Sequence, residues 1–431
     1  MDTRLSRFII LSGLAVFLLL SGVVTMNGGL VALSIPMVVY LGMTLLHRPQ
    51  PLNLSCQRRV SSNSVTIQTP VTVTVRVTNN GDDLEEVLIS ETVPEGLEWL
   101  DGRTSILLQM PHGASAELSY TVRGLRGSYT FHDLFVSAAD YQGILSRTTT
   151  LPARDQLVIL PEVIRLKKVA IRPQRTHGHF GPIPSRQAGS GVDFYGLRDY
   201  QLGDPQRWIN WRASARYEQN LFVNQFEQER IADVGIILDA RQQSNIELDS
   251  GNSIFEYSVQ AAGSISKALL DDGNRVSLLI YGYGMERTFR GYGKIQQEHI
   301  LHALGQAKTG HNFALESLGY LPTRFFPAGC QIVMVSPLLS SDVPAFSELR
   351  AVGYEILLIS PDPVDFEARA LGLKGDLAWK TARVERALTL KQLQRLGIRV
   401  VDWQVDHPFE ALVRATLSRP APVARTGLRG A

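Results

Sequence analysis

Two uncharged apolar runs open the chain, residues 8–26 and 30–46, separated by Asn27-Gly28-Gly29. A helix needs roughly 17–25 apolar residues to cross a bilayer, so the pattern predicts a transmembrane helical hairpin within residues 1–50. A cleaved leader fits less well, because the second run follows at once and no small-x-small site intervenes. From 51 to 151 the period changes to two. Val71, Val73, Val75 and Val77 alternate with Thr72, Thr74, Arg76 and Thr78, which gives one buried and one wet face. Turn residues at Asn79-Asn80-Gly81-Asp82 and a break at Pro94-Glu95-Gly96 separate about seven short strands, the spacing of an immunoglobulin-like β-sandwich. Residues 152–230 read as a linker, with a strand at Gln156–Leu160, followed by an irregular segment. Over 231–418, apolar strands (234–238, 276–281, 331–335, 355–359, 398–403) alternate with helical stretches, including one at 313–320, which predicts a doubly wound α/β sheet. The Pro-, Arg- and Gly-rich end, 419–431, has the composition of a disordered tail.

Charge changes this picture locally rather than globally. With 43 basic against 41 acidic residues the net charge is +2, which gives no pull toward nucleic acid. Cys56 and Cys330, the two cysteines, fall in different predicted domains and argue against a disulfide scaffold. Arg4 and Arg7 precede the first apolar run, and Arg48, Arg58 and Arg59 follow the second. Positive flanks favour the cytoplasmic side, so the expectation is a multi-pass protein of the cell membrane with cytoplasmic soluble domains. Arg165, Lys167, Lys168, Arg172, Arg175 and Arg186 lie between Glu162 and Asp193 with no acid among them. Such a stretch suits anionic lipid or an acidic partner, each charge contributing about 1 kcal/mol near an anionic surface; a solvated linker is the equal alternative.

The block from His177 to Asp239 is the most specific part of the chain. It carries Asp193-Phe194, Leu197-Arg198-Asp199-Tyr200, Gly203-Asp204-Pro205, Trp208-Ile209-Asn210-Trp211 and Ala213-Ser214-Ala215-Arg216, then the strand Val234–Leu238 ending on Asp239. In this order the pieces resemble the family known as domain of unknown function 58. That resemblance implies a von Willebrand factor type A-like fold after the block, and a functional link to MoxR-type AAA+ ATPases.

Type A-like domains hold a divalent cation beyond the strand ends, on an Asp-x-Ser-x-Ser motif, a Thr and a further Asp. Here Asp239 is present, but Arg241 and Gln243 stand where the serines belong, His311 takes the place of the Thr, and Val335-Ser336-Pro337 brings no aspartate. One carboxylate beside an arginine is a poor Mg²⁺ site, so a degenerate site with a structural Asp239–Arg241 contact is expected, and no cofactor. His177 and His179, without cysteines or a nearby carboxylate, make half a zinc site at best. Asp204 can cap a helix that starts at Pro205, anchored by Trp208 and Trp211. Arg198, Arg207, Arg212 and Arg216 crowd the same segment, and tryptophan with arginine dominates interfaces; these six residues are the partner-binding candidates.

No Gly-x-Ser-x-Gly, Walker loop or His-Glu-x-x-His is present, and the glycine-rich 282–293 does not sit at a strand-to-helix turn. The leading expectation is a membrane-tethered, non-enzymatic adaptor that docks protein partners. By resemblance these are a MoxR-type ATPase and other membrane or type A-like proteins. A metal-dependent adhesion or ligand-binding receptor is the alternative, and an envelope hydrolase a third.

Overall fold

The computed structural model describes residues 3–46, 52–139, 146–167, 169–171, 183–216, 220–248 and 253–417. They form two compact units, Met1–Leu160 and Pro161–Ala431. The boundary falls inside the stretch expected as linker.

The first unit begins with α1 (Thr3–Val24) and α2 (Gly28–Leu46). The helices lie against each other where Gly22 leaves no room for a side chain, since a Cβ there would meet the Val31 side chain at 2.8 Å. Ala15 and Ser34 are buried. Among the described residues no helix is long and apolar enough to cross a membrane. This overturns the expectation of two transmembrane helices. Closing the backbone hydrogen bonds within a segment makes a helix, whereas crossing a bilayer needs a sustained apolar length as well.

Ten strands follow: β1 (Leu54–Val60), β2 (Ser64–Thr66), β3 (Val71–Asn79), β4 (Leu84–Ser90), β5 (Leu97–Gly102), β6 (Ser105–Met110), β7 (Ser115–Gly124), β8 (Gly127–Phe131), β9 (Leu134–Ala139) and β10 (Ser146–Leu151). Eight of them build two four-stranded sheets, ordered β1-β3-β7-β5 and β10-β9-β4-β6. The alternation in β3 does the work predicted by its period: Val71, Val73, Val75 and Val77 are buried against Val87, Ile89, Leu134 and Val136 of the facing sheet. Each such side chain contributes about 1.5–3 kcal/mol relative to exposure. Asn79 fixes the following turn, its amide donating to the carbonyls of Asp82 (2.7 Å) and Met110 (2.8 Å). β11 (Asp155–Leu160) belongs to this unit rather than to a linker. It lies between β2 and β8, with Leu157 and Ile159 in the sandwich core.

Arg58, counted above as a flank charge, is buried in β1. Its guanidinium bonds both Glu91 oxygens (2.6 and 2.8 Å), the His132 carbonyl (2.9 Å) and the Ala153 carbonyl. It therefore carries no weight in an orientation argument. Burial is the main influence on Glu91 and raises its carboxyl above the ordinary value, although the hydrogen bond and charge of Arg58 oppose it.

In the second unit, 161–167 and 169–171 pack onto the α/β core. Leu166 and Val169 are buried, and the Ile164 N–H donates to Ser264 Oγ at 2.9 Å. Two long strands, β12 (Ile183–Asp199) and β13 (Phe222–Arg230), pair antiparallel with several register shifts, and the short α3 (Trp211–Ser214) lies between them. The sheet that follows contains β14 (Asp233–Ala240), β15 (Arg275–Gly282), β16 (Met285–Gly291), β17 (Gln331–Val335), β18 (Glu355–Pro361) and β19 (Arg399–Trp403), ordered β16-β15-β14-β17-β18-β19. All pairs are parallel except β15–β16. Helices α4 (Ile254–Asp271), α5 (Gly293–Gln306), α6 (Val343–Ala351), α7 (Pro363–Ala370), α8 (Leu377–Arg395) and α9 (Phe409–Leu417) cover both faces. Gly235 of β14 is required by packing, because a Cβ would stand 2.4 Å from the Phe326 ring. Residues 313–320 form two 3₁₀ turns, Phe313–Leu315 and Leu318–Tyr320, rather than one helix.

Candidate functional site: the strand ends and the tryptophan–arginine segment

Strand order reverses direction at β14, between β15 on one side and β17 on the other. Open α/β sheets bind ligands beyond the carboxyl ends at such a switch point. Here that position is filled from within. Asp239 ends β14, and Arg241 folds back over it: Nε donates to Asp239 Oδ1 (2.9 Å) and Nη2 to Oδ2 (2.8 Å). Asp342, just ahead of α6, receives Nη1 on Oδ1 (2.9 Å) and Nη2 on Oδ2 (2.8 Å). The second Nη1 hydrogen goes to the Glu316 carbonyl at 2.9 Å. All five guanidinium N–H groups are thereby used. Ser336 Oγ donates to Asp239 Oδ2 at 2.6 Å, and the Leu339 N–H to Asp342 Oδ2 at 2.9 Å. Burial pulls Arg241 toward deprotonation, but hydrogen bonds and charges from both aspartates outweigh it and hold the group above its ordinary value.

All four carboxylate oxygens are therefore turned onto a guanidinium, and a divalent cation would have to displace it. Among the described residues no three His, Cys, Asp or Glu side chains are grouped as metal ligands. Gln243 donates to the Glu316 carbonyl at 2.5 Å, and His311 is exposed. Both line a cavity of about 90 Å³ with Arg241, Gly282 and Gly310. Gly310 lies so close to Tyr283 that a Cβ would meet its ring at 2.2 Å. Tyr281 donates to the Ser317 carbonyl at 2.8 Å. Burial, reinforced by Asp239 and Tyr320 and opposed by Arg241, pushes its phenol up to about 12.

A second buried network straps the ends of β17, β18 and β19. Arg386 of α8 donates to the Pro337 carbonyl (2.9 Å), Ser360 Oγ (3.0 Å) and Asp402 (2.6 Å), while Arg383 meets Asp362 at 2.5 Å. Burial raises the Asp362 carboxyl and the Asp402 charge adds to that, against the pull of Arg386 and Arg383. A groove of about 230 Å³ lies beside it, lined by Leu338, Pro363, Val364, Glu385 and Leu390 among others.

The tryptophan–arginine segment differs from the capped helix expected at Pro205. Residues Gln206–Trp208 make one 3₁₀ turn with no side-chain cap, and Ile209 returns to extended backbone (φ −65°, ψ 126°). Asp204 instead clamps Arg198, whose Nη1 and Nη2 lie 2.7 and 2.5 Å from its oxygens. That hydrogen bond is the main cause of a lowered Asp204 carboxyl, helped by the Gln201 N–H. The helix α3 has its own cap, Asn210, which accepts from the Ala213 N–H at 2.9 Å. Ile209 is buried, Trp208 half-buried, and Trp211 is 66% exposed rather than an anchor. Arg207, Arg212 and Arg216 are exposed. Arg165 and Lys167 are exposed too, whereas Lys168, Arg172, Arg175, His177, His179 and 419–431 lie outside the described residues.

Residues 196–405 match the model of a family described as protein of unknown function DUF58. The match supports the resemblance read from the sequence at the level of that family. It begins in β12 and ends just after β19, so the matched region contains the tryptophan–arginine segment, Arg241 and both aspartates. No curated protein matches this chain.

Solved structures similar to parts of the chain include three β-domain proteins. The major pilin subunit of Bacillus cereus is 7% identical, with a TM-score of 0.21, covering 27% of this chain and 44% of the pilin. This chain thus spans less than half the length of that first relative. A CARDB domain from Pyrococcus furiosus, solved with di-metal ions, is 11% identical, with a TM-score of 0.18, covering 25% of this chain and 93% of that one. A non-cellulosomal cohesin from Archaeoglobus fulgidus is 16% identical, with a TM-score of 0.18, covering 25% and 91%. At these scores the likenesses carry no argument.

Proposed function

We propose that this protein is a non-enzymatic adaptor that docks protein partners through the tryptophan–arginine segment of its DUF58 region. One observation carries the reading: Trp211, Arg207, Arg212 and Arg216 are displayed to solvent on a segment held by the Arg198–Asp204 clamp, the Asn210 cap and buried Ile209. Exposed tryptophan and arginine on a preorganised backbone are the residues that most often dominate interfaces, and preorganisation lowers the entropic cost of binding. The strand-end site supports the same reading from the other side. Its carboxylates are engaged by Arg241, which counts against the alternative of a metal-dependent receptor. The resemblance adds the partner class, a MoxR-type AAA+ ATPase, and with it a role in assembling or maturing other proteins. The finer description of the α/β unit as von Willebrand factor type A-like is part of this proposal and rests on its strand order and single antiparallel edge.

Charge reversal of Arg207→Glu together with Arg212→Glu tests the surface. Both side chains are exposed, so the melting transition should stay within about 0.5 kcal/mol of wild type. Recovery of an AAA+ ATPase by the tagged full-length chain from a nucleotide-supplemented detergent lysate should fall at least about tenfold, the loss of one hot-spot pair. Undiminished recovery by the double variant, or wild-type recovery of no AAA+ protein, counts against the reading.

A further inference from the structure

The glycine-rich stretch 282–293 forms β16 and its approaches, and it is the end strand of the six-stranded sheet. Its regular pairing to β15 runs Met285↔Tyr281, Glu286↔Ile280, Arg287↔Leu279 and Thr288↔Leu278, and a bulge follows. Among the described residues no strand lies beyond it. Charged side chains and bulges ordinarily guard such edges, and this one carries Glu286, Arg287 and the bulge after Thr288, yet Met285, Phe289, Tyr283 and Tyr292 are also exposed along it, Phe289 at 70%.

Arg287 pairs with Leu279, a residue of the core that also holds Phe325 at its margin. Its guanidinium lies 4.0 Å from the Phe289 ring centre and 4.3 Å from that of Phe325, and Arg324 lies 5.5 Å from Phe325. Nearby Arg275 and Arg290 are engaged by Asp233. Arg287 and Arg324 are held by aromatic faces, which orient a guanidinium while leaving its N–H fork for a carboxylate.

We propose that the outer edge of β16 binds an extended acidic segment of a partner protein by strand addition, with Arg287 and Arg324 reading its carboxylates. Main-chain bonds to the edge supply affinity, and side chains alternating along the added strand supply specificity. A second copy of this chain is the competing occupant, and charge argues against it. Two-fold pairing of the regular edge centres on Glu286 or Arg287, setting Glu286 against Glu286 or Arg287 against Arg287 of the copy. Like charges directly opposite destabilise a sheet pair. The edge is separate from the tryptophan–arginine segment, and the inference rests on the adaptor reading only in taking a protein as the occupant.

Fluorescence anisotropy of the full-length chain with a labelled peptide alternating threonine and glutamate tests this, against a threonine–lysine peptide and an alternately N-methylated threonine–glutamate peptide. The expected result is saturable binding of the glutamate peptide that weakens with salt, and at least tenfold weaker binding of both controls. Arg287→Glu with Arg324→Glu should reduce binding at least tenfold, and Arg324→Gln alone, a surface change, severalfold even if the double variant fails to fold. Arg207→Glu with Arg212→Glu should leave peptide binding unchanged, so the edge and the adaptor surface fail separately. No binding by wild type, equal binding of the N-methylated peptide, or a concentration-dependent dimer that excludes the peptide would each overturn the proposal.

Discussion

Arg241→Met is expected to destabilise the α/β unit by about 3–5 kcal/mol, the scale seen when one partner of a buried ionic network is removed. The methionine fills most of the space but leaves Asp239 and Asp342, both nearly inaccessible, facing each other without a cation. It also takes one of two donors from the Glu316 carbonyl, leaving Gln243. Arg241→Lys should recover only part of the loss. An ammonium offers three donors from one point and cannot grip two carboxylates edge-on as the planar fork does. Asp239→Ala should be costly for the same reason, because it leaves Arg241 with half its compensation and Ser336 Oγ without its acceptor. Denaturant melts followed at the transition of this unit check all three variants. A cost below about 1 kcal/mol for Arg241→Met would mean that the network is solvated in solution, as surface pairs are.

The second large effect belongs to the sandwich. Arg58→Met should cost about 3–5 kcal/mol, since Glu91 is then buried alone and two backbone carbonyls lose their donor. Arg58→Met combined with Glu91→Leu should cost only about 1–2 kcal/mol, because no buried charge remains and the carbonyls account for the deficit. The pH dependence has a definite sign. Burial raises the Glu91 carboxyl above its reference value of 4.5, and Arg58 works against that rise. A carboxyl raised in the folded state contributes stability that is fully present below its unfolded value and lost as pH rises through the folded one. Removing Arg58 takes away the opposing influence and widens that window upward. The deficit of Arg58→Met should therefore be smallest in acid and grow toward neutrality. A deficit independent of pH would show that Glu91 does not titrate with folding.

Local regularity explains what could be read from the chain. The valine alternation of β3 and the apolar runs of β14, β17 and β18 announce their own burial, because period and face are properties of a few consecutive residues. Long-range pairing is invisible at that scale. Asp204, placed between Gly203 and Pro205, has the grammar of a helix cap, yet its carboxylate is taken by Arg198, six residues back. Asp342 was hidden by the same grammar: it precedes Val343 and Pro344 as a cap would, but makes no side-chain cap bond and turns to Arg241, 101 residues earlier in the chain. Val335-Ser336-Pro337 at the end of β17 brings no acid, and Asp342 comes only with the following 3₁₀ turn, Ser340–Asp342. Arg58 reads as a flank charge because it follows an apolar run, whereas its burial depends on Glu91, just past the end of β4 and 33 residues away. The apolar runs 8–26 and 30–46 do form helices, but helix formation and membrane crossing are separate properties. The Asp239–Arg241 contact was legible because the two residues are two apart, which keeps the geometry local.

Arg241 occupies the strand-end position that a cation would otherwise take. Thermal melting of the full-length wild type, Asp239→Ala and Arg241→Ser in rising Mg²⁺ or Mn²⁺ asks whether it does so in solution. Ligand at ten times its dissociation constant stabilises by about 1.4 kcal/mol, or several degrees for a unit of this size. The α/β transition of the wild type should not move. That of Arg241→Ser should rise, because the four carboxylate oxygens are then released from the guanidinium and, with the Ser336 hydroxyl beside them, can turn to a hard cation. A rise of several degrees in the wild type that is absent from Asp239→Ala would contradict that placement of Arg241.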